Sequence, residues 1–189
     1  MKQALEHVLI EQQAEIVDEL KQRIVHIVKD SNGNHVVQKV IQMFPEKCIP
    51  SVMNAFRGQI DQLAAHNFGC RVIQRILEHG TEEEKRELMG EIHIHANLLI
   101  SDQFGNYVAQ HIIAQGEPDD RSKMIEMVTK NLVHLSKHKF ASNVVEKCIE
   151  HGNAEQRRQM QAKLMVPTNG GTSPIQLMIK DQFGNYVIR

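Results

Sequence analysis

Apolar residues recur along the chain in short stripes of helical period, and the stripes themselves repeat. In residues 34 to 41, NHVVQKVI, Val36, Val37, Val40 and Ile41 fall on one face of a helix with about 3.6 residues per turn. The same offsets give Val72, Ile73, Ile76 and Leu77, then Val108, Ala109, Ile112 and Ile113, then Val144, Val145, Cys148 and Ile149. The stripes lie in SNGNHVVQKVI, NFGCRVIQRIL, QFGNYVAQHII and KFASNVVEKCI, and a shorter fifth copy reads QFGNYVIR. The fourth residues of the first four copies, Asn34, Cys70, Asn106 and Ser142, follow one another in steps of 36, and Asn185 comes 43 residues after Ser142. The longer last step coincides with PTNGGTSP at 167–174, a stretch of turn-forming residues where a repeat array accepts an insertion.

The phase holds outside the stripes. Seven residues before each of these positions stand Ile27, Leu63, Leu99, Leu135 and Met178, all apolar. Helical stretches such as 82–91 and 121–131 lie between the motifs. Thr81 with Glu84 predicts a capping box, and Gly80, Gly116 and Gly152 stand where a motif helix should stop. Each unit thus predicts two or three helices, none of which buries its apolar face alone. Stacked units make one continuous core, so the expected fold is all-α, an α-solenoid of repeats of about 36 residues. Ala4 and Leu5 fall in register with Val40 and Ile41, and Arg189 stands inside the fifth motif helix. Both ends therefore read as cut from a longer array, with residues 1–10 and 175–189 expected to fray for want of neighbours.

The opposite face of each motif helix is polar, and its residue types are restricted by position. The first place holds the small side chains Asn34, Cys70, Asn106 and Ser142. One turn on, and therefore beside it, the fifth place is Gln38, Gln74, Gln110 or Glu146. The second place carries His35, Arg71, Tyr107 and Asn143; the sixth is mostly cationic, with Lys39, Arg75 and Lys147 beside His111. The fifth copy contributes Asn185 and Tyr186. A merely solvated face would vary over all residue types. Stacked helices present these rows at intervals of about 8–10 Å, which suits a strand of unpaired bases. Uracil offers acceptor, donor and acceptor, a pattern two side-chain amides can match. Guanine offers two adjacent donors, which an ionised Glu146 accepts, and adenine a donor beside an acceptor, which Gln74 meets alone while Cys70 makes van der Waals contact. Flat groups at the second place can stack between successive bases.

Composition narrows the alternatives. With 22 basic and 23 acidic residues the net charge is −1, so nucleic-acid binding has no support from global charge and must rest on local features. Tryptophan is absent and aromatics are 4%, as suits helix-on-helix packing of aliphatic residues. Cys48, Cys70 and Cys148 are odd in number and form no CxxC pair, which argues against a disulfide framework or a zinc cage, and Cys148 reads as a buried hydrophobe. No apolar run approaches the roughly 20 residues that span a bilayer, so no membrane association is expected. An enzyme built on a metal held by His93 with His95, or His134 with His138, is a weaker reading. His138 occupies the place of Asp30, His66, Asp102 and Asp181, where closing a turn is the simpler role. No cofactor or metal is expected. A protein-binding solenoid of the HEAT or armadillo type shares the architecture, but it does not require the matched polar pairs.

The motifs NHVVQ, CRVIQ, NYVAQ, SNVVE and NYVIR, with flanking phrases VKDSNGNHVVQK, GCRVIQRILEHG and HKFASNVVEKC, closely resemble repeats four to seven and the start of repeat eight of the Pumilio (PUF) family. The resemblance covers essentially residues 1–189: the end of one repeat, four motif-bearing repeats and the truncated start of a fifth. It implies a superhelical crescent of three-helix repeats whose concave face holds single-stranded mRNA antiparallel to the protein, one base per repeat. Carried over residue by residue, Asn185 implies U, Ser142 with Glu146 G, Asn106 with Gln110 U, Cys70 with Gln74 A, and Asn34 with Gln38 U. His35, Arg71, Tyr107, Asn143 and Tyr186 would stack, and Lys39, Arg75 and Lys147 would support the strand. The implied target is 5′-UGUAU-3′ in 3′ untranslated regions. Its first U is the one position the pattern leaves open, because Arg189 replaces a Gln and only donates. A cytoplasmic repressor of translation and mRNA stability is implied, with deadenylation or repression proteins on the convex face. A relative with relaxed RNA specificity is the nearer alternative.

Overall fold

Each stripe folds as its period requires. The computed structural model describes residues 10–167 and 171–189, and among these it contains helices and no strand. The helices are α1 (Ile10–Lys21), α2 (Ile24–Lys29), α3 (Gly33–Met43), α4 (Pro45–Phe56), α5 (Ile60–Ala64), α6 (Gly69–His79), α7 (Glu82–Ser101), α8 (Gly105–Gln115), α9 (Pro118–Lys130), α10 (Leu132–Ser136), α11 (Ala141–His151), α12 (Ala154–Met165), α13 (Pro174–Ile179) and α14 (Gly184–Ile188). The motif helices are α3, α6, α8, α11 and α14. The expectation of fraying at the N-terminus falls largely on residues 1–9, which lie outside the described residues.

The chain divides into two compact units, residues 1–95 and 96–189. In the first, α3 packs on α6, with α2 and α4 against α3 and α5 against α6. In the second, α8 packs on α11 and α11 on α14, with α9, α10 and α12 behind them. The core in both is the predicted stripe. Val37, Val40, Ile41, Val72, Ile73, Ile76, Val108, Ala109, Ile112, Ile113, Val144, Val145 and Cys148 are all buried, while Val36, Leu77 and Ile149 are half-buried at its margin. Burial pushes the Cys48 and Cys148 thiols up to about 12, so neither supplies a thiolate near neutrality. Helix on helix at this spacing, with aliphatic side chains between, is the α-solenoid architecture.

A repeat has three helices where a break separates the second from the third. Gly58 adopts a φ of 74° between α4 and α5, a conformation glycine takes without steric cost. One repeat later the equivalent residue is Ile94, and there α7 runs unbroken for 20 residues. The stretch EIHIHANLLI holds neither glycine nor proline, so nothing stops it. Thr81 and Glu84 form the predicted capping box, with Thr81 N–H donating to Glu84 Oε2 (2.8 Å) and Glu84 N–H to Thr81 Oγ1 (3.3 Å). Motif helices do end at Gly80, Gly116 and Gly152, but not through a left-handed cap. Their φ values are −70°, −71° and −66°. Glycine is needed for close approach: a Cβ would stand 2.8, 2.4 and 2.6 Å from the carbonyl oxygens of Ile76, Ile112 and Cys148.

Two alanine substitutions separate these reasons for glycine. Gly116→Ala should destabilise unit two by about 1–3 kcal/mol, because the new methyl meets backbone that has nowhere to go. Gly90→Ala, inside α7 with open space around the added Cβ, should stabilise by about 0.5–1 kcal/mol through helix propensity. Urea unfolding followed by far-UV circular dichroism reads both, and equal effects of the same sign would overturn the distinction.

Candidate nucleic-acid interface

Every motif helix is entered through the same turn, closed by the side chain four residues before the first place. Asp30 Oδ1 accepts from the backbone N–H groups of Asn32 (2.9 Å) and Gly33 (2.7 Å). Asp102 does so for Phe104 (2.8 Å) and Gly105 (2.7 Å), and Asp181 for Phe183 (2.9 Å) and Gly184 (2.8 Å). In the other two motifs the acceptor is an imidazole. His66 Nδ1 lies 3.2 Å from Phe68 N and 3.3 Å from Gly69 N, and His138 Nδ1 stands at 3.2 and 3.3 Å from Phe140 N and Ala141 N. These bonds satisfy N–H groups that the first turn of a helix leaves without an internal partner. His138 thus closes a turn, the role its register predicted.

The closers respond to pH in defined directions. Backbone donors, Gly33 first and Asn32 second, hold the Asp30 carboxyl below the ordinary carboxylate range, and Gly184 and Phe183 do the same for Asp181. Both turns are at full strength above the ordinary carboxylate pKa and loosen as pH falls through the depressed folded value. Burial, then the charge of Lys29, lowers the pKa of His66 from 6.5. Its neutral form is the one that accepts, so its turn is whole above pH 6.5 and weakens as pH falls through the lower folded value.

The first-place asparagines tie the same turn from the other side. Asn34 Nδ2 donates to the carbonyls of Asp30 (2.9 Å) and Ser31 (2.9 Å), and Asn106 Nδ2 to those of Asp102 (2.9 Å) and Gln103 (2.8 Å). Asn185 Nδ2 donates to Asp181 O at 2.8 Å. Two carbonyls can be met only by the NH₂ group, so the amide orientation is fixed by the backbone. Oδ1 must then face the fifth place, where it accepts from Gln38 Nε2 (2.9 Å) or Gln110 Nε2 (2.8 Å). That in turn fixes the glutamine, whose Oε1 and second N–H are left for a ligand. Asn34 and Asn106 are 1% and 2% exposed, whereas Gln38 and Gln110 are half-buried at the rim. The accessible hydrogen-bonding groups of each pair are thereby mainly those of glutamine, with asparagine as its anchor.

The remaining motifs lack this chain. Cys70 is buried, with Sγ 3.5 Å from Asn67 O. Arg71 Nη1 lies 3.4 Å from Gln74 Oε1, so the donor side of that amide is the one left open. Ser142 is buried and Glu146 exposed, and the Glu146 carboxylate makes no ion pair or hydrogen bond among the described residues. The second place is exposed in every motif: His35, Arg71, Tyr107, Asn143 and Tyr186 all face solvent. Asn143 Nδ2 donates to Phe140 O (3.3 Å), and the Arg189 guanidinium sits 5.0 Å from the Tyr186 ring centroid. In the cationic row, Arg75 pairs with Glu78 and Lys147 with Glu150, each at 2.5 Å, which offsets much of its charge. Sequence reasoning missed those partners, although their i,i+3 spacing signals them. Within unit one the rows lie on the packed helices α3 and α6; within unit two they lie on α8, α11 and α14.

Comparisons with known proteins agree with this geometry. The family model described as "Pumilio-family RNA binding repeat" matches residues 1–21, 23–51, 59–93, 95–129, 131–165 and 175–188. The Puf3 RNA-binding domain, solved bound to a Cox17 RNA 3′ UTR recognition sequence, is 40% identical with a TM-score of 0.91; the alignment covers 99% of this chain and 58% of that one. PUF-8, solved in complex with PBE-RNA, is 33% identical with a TM-score of 0.90, over 99% of this chain and 55% of that one. The Puf4 RNA-binding domain, bound to an HO endonuclease RNA 3′ UTR recognition sequence, is 32% identical with a TM-score of 0.83, over 96% and 56%. The chain thus spans less than two thirds of each of these domains. No curated protein sequence matches it.

The asparagine anchor makes a stability prediction independent of any ligand. Asn106→Ala should cost about 1–2 kcal/mol by removing two donors from the turn, and Asn106→Asp more, since a carboxylate would face two carbonyl oxygens. Gln110→Ala, at the rim, should cost under about 1 kcal/mol. Urea titrations of the three variants give the ranking, and a glutamine change more harmful than the asparagine changes would reverse the assigned order.

Proposed function

The chain belongs to the Pumilio family of RNA-binding repeat proteins, and from that premise we propose that it reads single-stranded mRNA base by base through its motif helices. Its repeats are an RNA-binding fold and not an enzyme. Membership also removes the HEAT and armadillo alternative. The observation that carries the base-reading proposal is the oriented amide pair, in which backbone carbonyls fix asparagine and asparagine fixes glutamine.

In reverse chain order the motifs propose 5′-UGUAU-3′. Asn106 with Gln110 and Asn34 with Gln38 take uracil: glutamine Oε1 accepts from the N3–H and its remaining N–H donates to a neighbouring carbonyl, while the asparagine Oδ1 holds the glutamine in that orientation. Glu146 beside Ser142 takes guanine, because a carboxylate accepts from two adjacent donors and offers none. Cys70 beside Gln74 takes adenine. Asn185 takes the first base. His35, Arg71, Tyr107, Asn143 and Tyr186 supply flat surfaces between bases, and base–aromatic stacking contributes about 1–3 kcal/mol each. Lys39, Arg75 and Lys147 stand near the strand. A 3′ untranslated region as target, a cytoplasmic role in repression and mRNA decay, and repression partners on the outer face follow from kinship with the structures above, and are proposed on that ground alone.

Three binding measurements test the reading. An RNA containing UGUAU should bind more tightly than a scrambled RNA or the matching DNA; equal affinity for all three would sink it. Glu146→Gln should lower the preference for G at the second base by about 1–3 kcal/mol and leave the other bases alone. Tyr107→Ala should weaken binding by about 1–3 kcal/mol whatever the base, because every base has a π face. Affinity should also depend weakly on salt. With three cations on the row, and Arg75 and Lys147 each held by a glutamate, the slope of log K against log salt should be no steeper than about −2. A slope several units steeper would mean that phosphate contacts elsewhere dominate.

A further inference from the structure

The turn closer and the first place vary together. Asp30, Asp102 and Asp181 precede Asn34, Asn106 and Asn185, whereas His66 and His138 precede Cys70 and Ser142. No motif mixes the two sets. We propose that His66 and His138 are positioning residues of the purine-reading motifs, so that base choice is set by the closer together with the first and fifth places. The inference rests on the reading above, in which these motifs take adenine and guanine.

The physical coupling is visible in the bonds. An Asp–Asn turn is tied from both sides: in the first motif Asp30 accepts two backbone N–H groups and Asn34 donates to two carbonyls. A larger base calls for a smaller first place, and Cys or Ser has no NH₂ group with which to tie both carbonyls. Cys70 Sγ makes a weak contact with Asn67 O at 3.5 Å. Histidine restores rigidity by another route. Its Nδ1 takes over the two acceptor bonds, while its ring packs tilted on the phenylalanine two residues on. The centroids of His66 and Phe68 are 5.9 Å apart at 60°, and those of His138 and Phe140 6.0 Å apart at 56°. Such pairs contribute beyond their burial, and a carboxylate cannot form one. Asp102 and Asp181 also have a phenylalanine two residues on, Phe104 and Phe183, but no ring to set against it.

Because two N–H groups point at Nδ1, the imidazole must be neutral with its proton on Nε2. The charged group facing His66 is Lys29 at the end of α2, which with burial opposes protonation. Acid therefore removes the acceptor from this motif as pH falls through the lowered pKa of His66.

The test is a double-mutant cycle on the full chain with two RNAs, UGUAU and UGUUU, which differ only at the base assigned to Cys70 and Gln74. Cys70→Asn, His66→Asp and the double variant are titrated at pH 7.5 and 5.8 by fluorescence anisotropy, with His66→Asn as a neutral, non-titrating closer. The proposal expects non-additivity: the double variant should prefer UGUUU over UGUAU by about fivefold more than the product of the single effects. It also expects the preference of the unmodified protein for UGUAU over UGUUU to narrow at pH 5.8, and both His66→Asp and His66→Asn to abolish that narrowing. Taking the ratio of two RNAs cancels titration at the other bases. Additive effects with an unchanged pH profile would overturn the proposal and leave the base assignments standing. If the unmodified protein does not distinguish the two RNAs at pH 7.5, the base assignment itself has failed and the proposal falls with it. Thermal unfolding of each variant at both pH values separates loss of the fold from loss of selectivity.

Discussion

The structure depends on how one turn satisfies its backbone. A helix begins with N–H groups that its own ladder cannot reach, and in a repeat array that problem recurs at every unit. Here a side chain four residues upstream accepts two of those groups, as Asp30 does for Asn32 and Gly33. Where the first-place residue is asparagine it faces back and takes up carbonyls of the same turn. The bond set that starts the helix therefore also fixes the orientation of the amide a ligand meets. The helix start and the presented polar face share atoms, which is why Asn34 and Asn106 are buried although they belong to that face.

That sharing lets a nearly neutral protein present a specific surface. Charge is not the organising force: the net charge is −1, and Arg75 and Lys147 are held by Glu78 and Glu150. What the rows offer instead is a set of hydrogen-bonding groups whose directions are settled before anything binds. A free glutamine amide can flip and would accept uracil or adenine with equal ease, since each shows a donor beside an acceptor. In α3 and α8 the flip is decided by asparagine, and asparagine by the backbone. In α6 there is no asparagine, and Arg71 approaches the glutamine oxygen instead. One side-chain type is thus oriented in two ways because its neighbours differ.

The same economy explains the glycines. Gly116 is retained because the backbone of Ile112 lies where a methyl would go, and Gly58 because the chain turns through a positive φ. Where the equivalent of Gly58 is Ile94, two helices fuse into one. Small residues here mark places where backbone meets backbone, and their loss changes the repeat locally without disturbing its period.

Much of this was legible in the sequence because a solenoid writes its packing as a period. The stripe from Val37 to Ile41, repeated in steps of 36, determined the fold class, the core and the face opposite it, since each repeat meets the same neighbours as the last. The polar pairs, the exposed second place and the register of Asp30 with His66 were equally plain, being matters of spacing along one helix. Three-dimensional packing decided the rest. That Asn34 points inward to two carbonyls, leaving Gln38 to face a ligand, depends on a backbone path no periodicity reveals. That Gly80, Gly116 and Gly152 serve close approach, not a left-handed cap, depends on φ values of about −70° that sequence cannot specify. Periodicity tells which side chains share a face; only coordinates tell which lone pair is already taken, because hydrogen bonds are settled over distances shorter than one residue's reach.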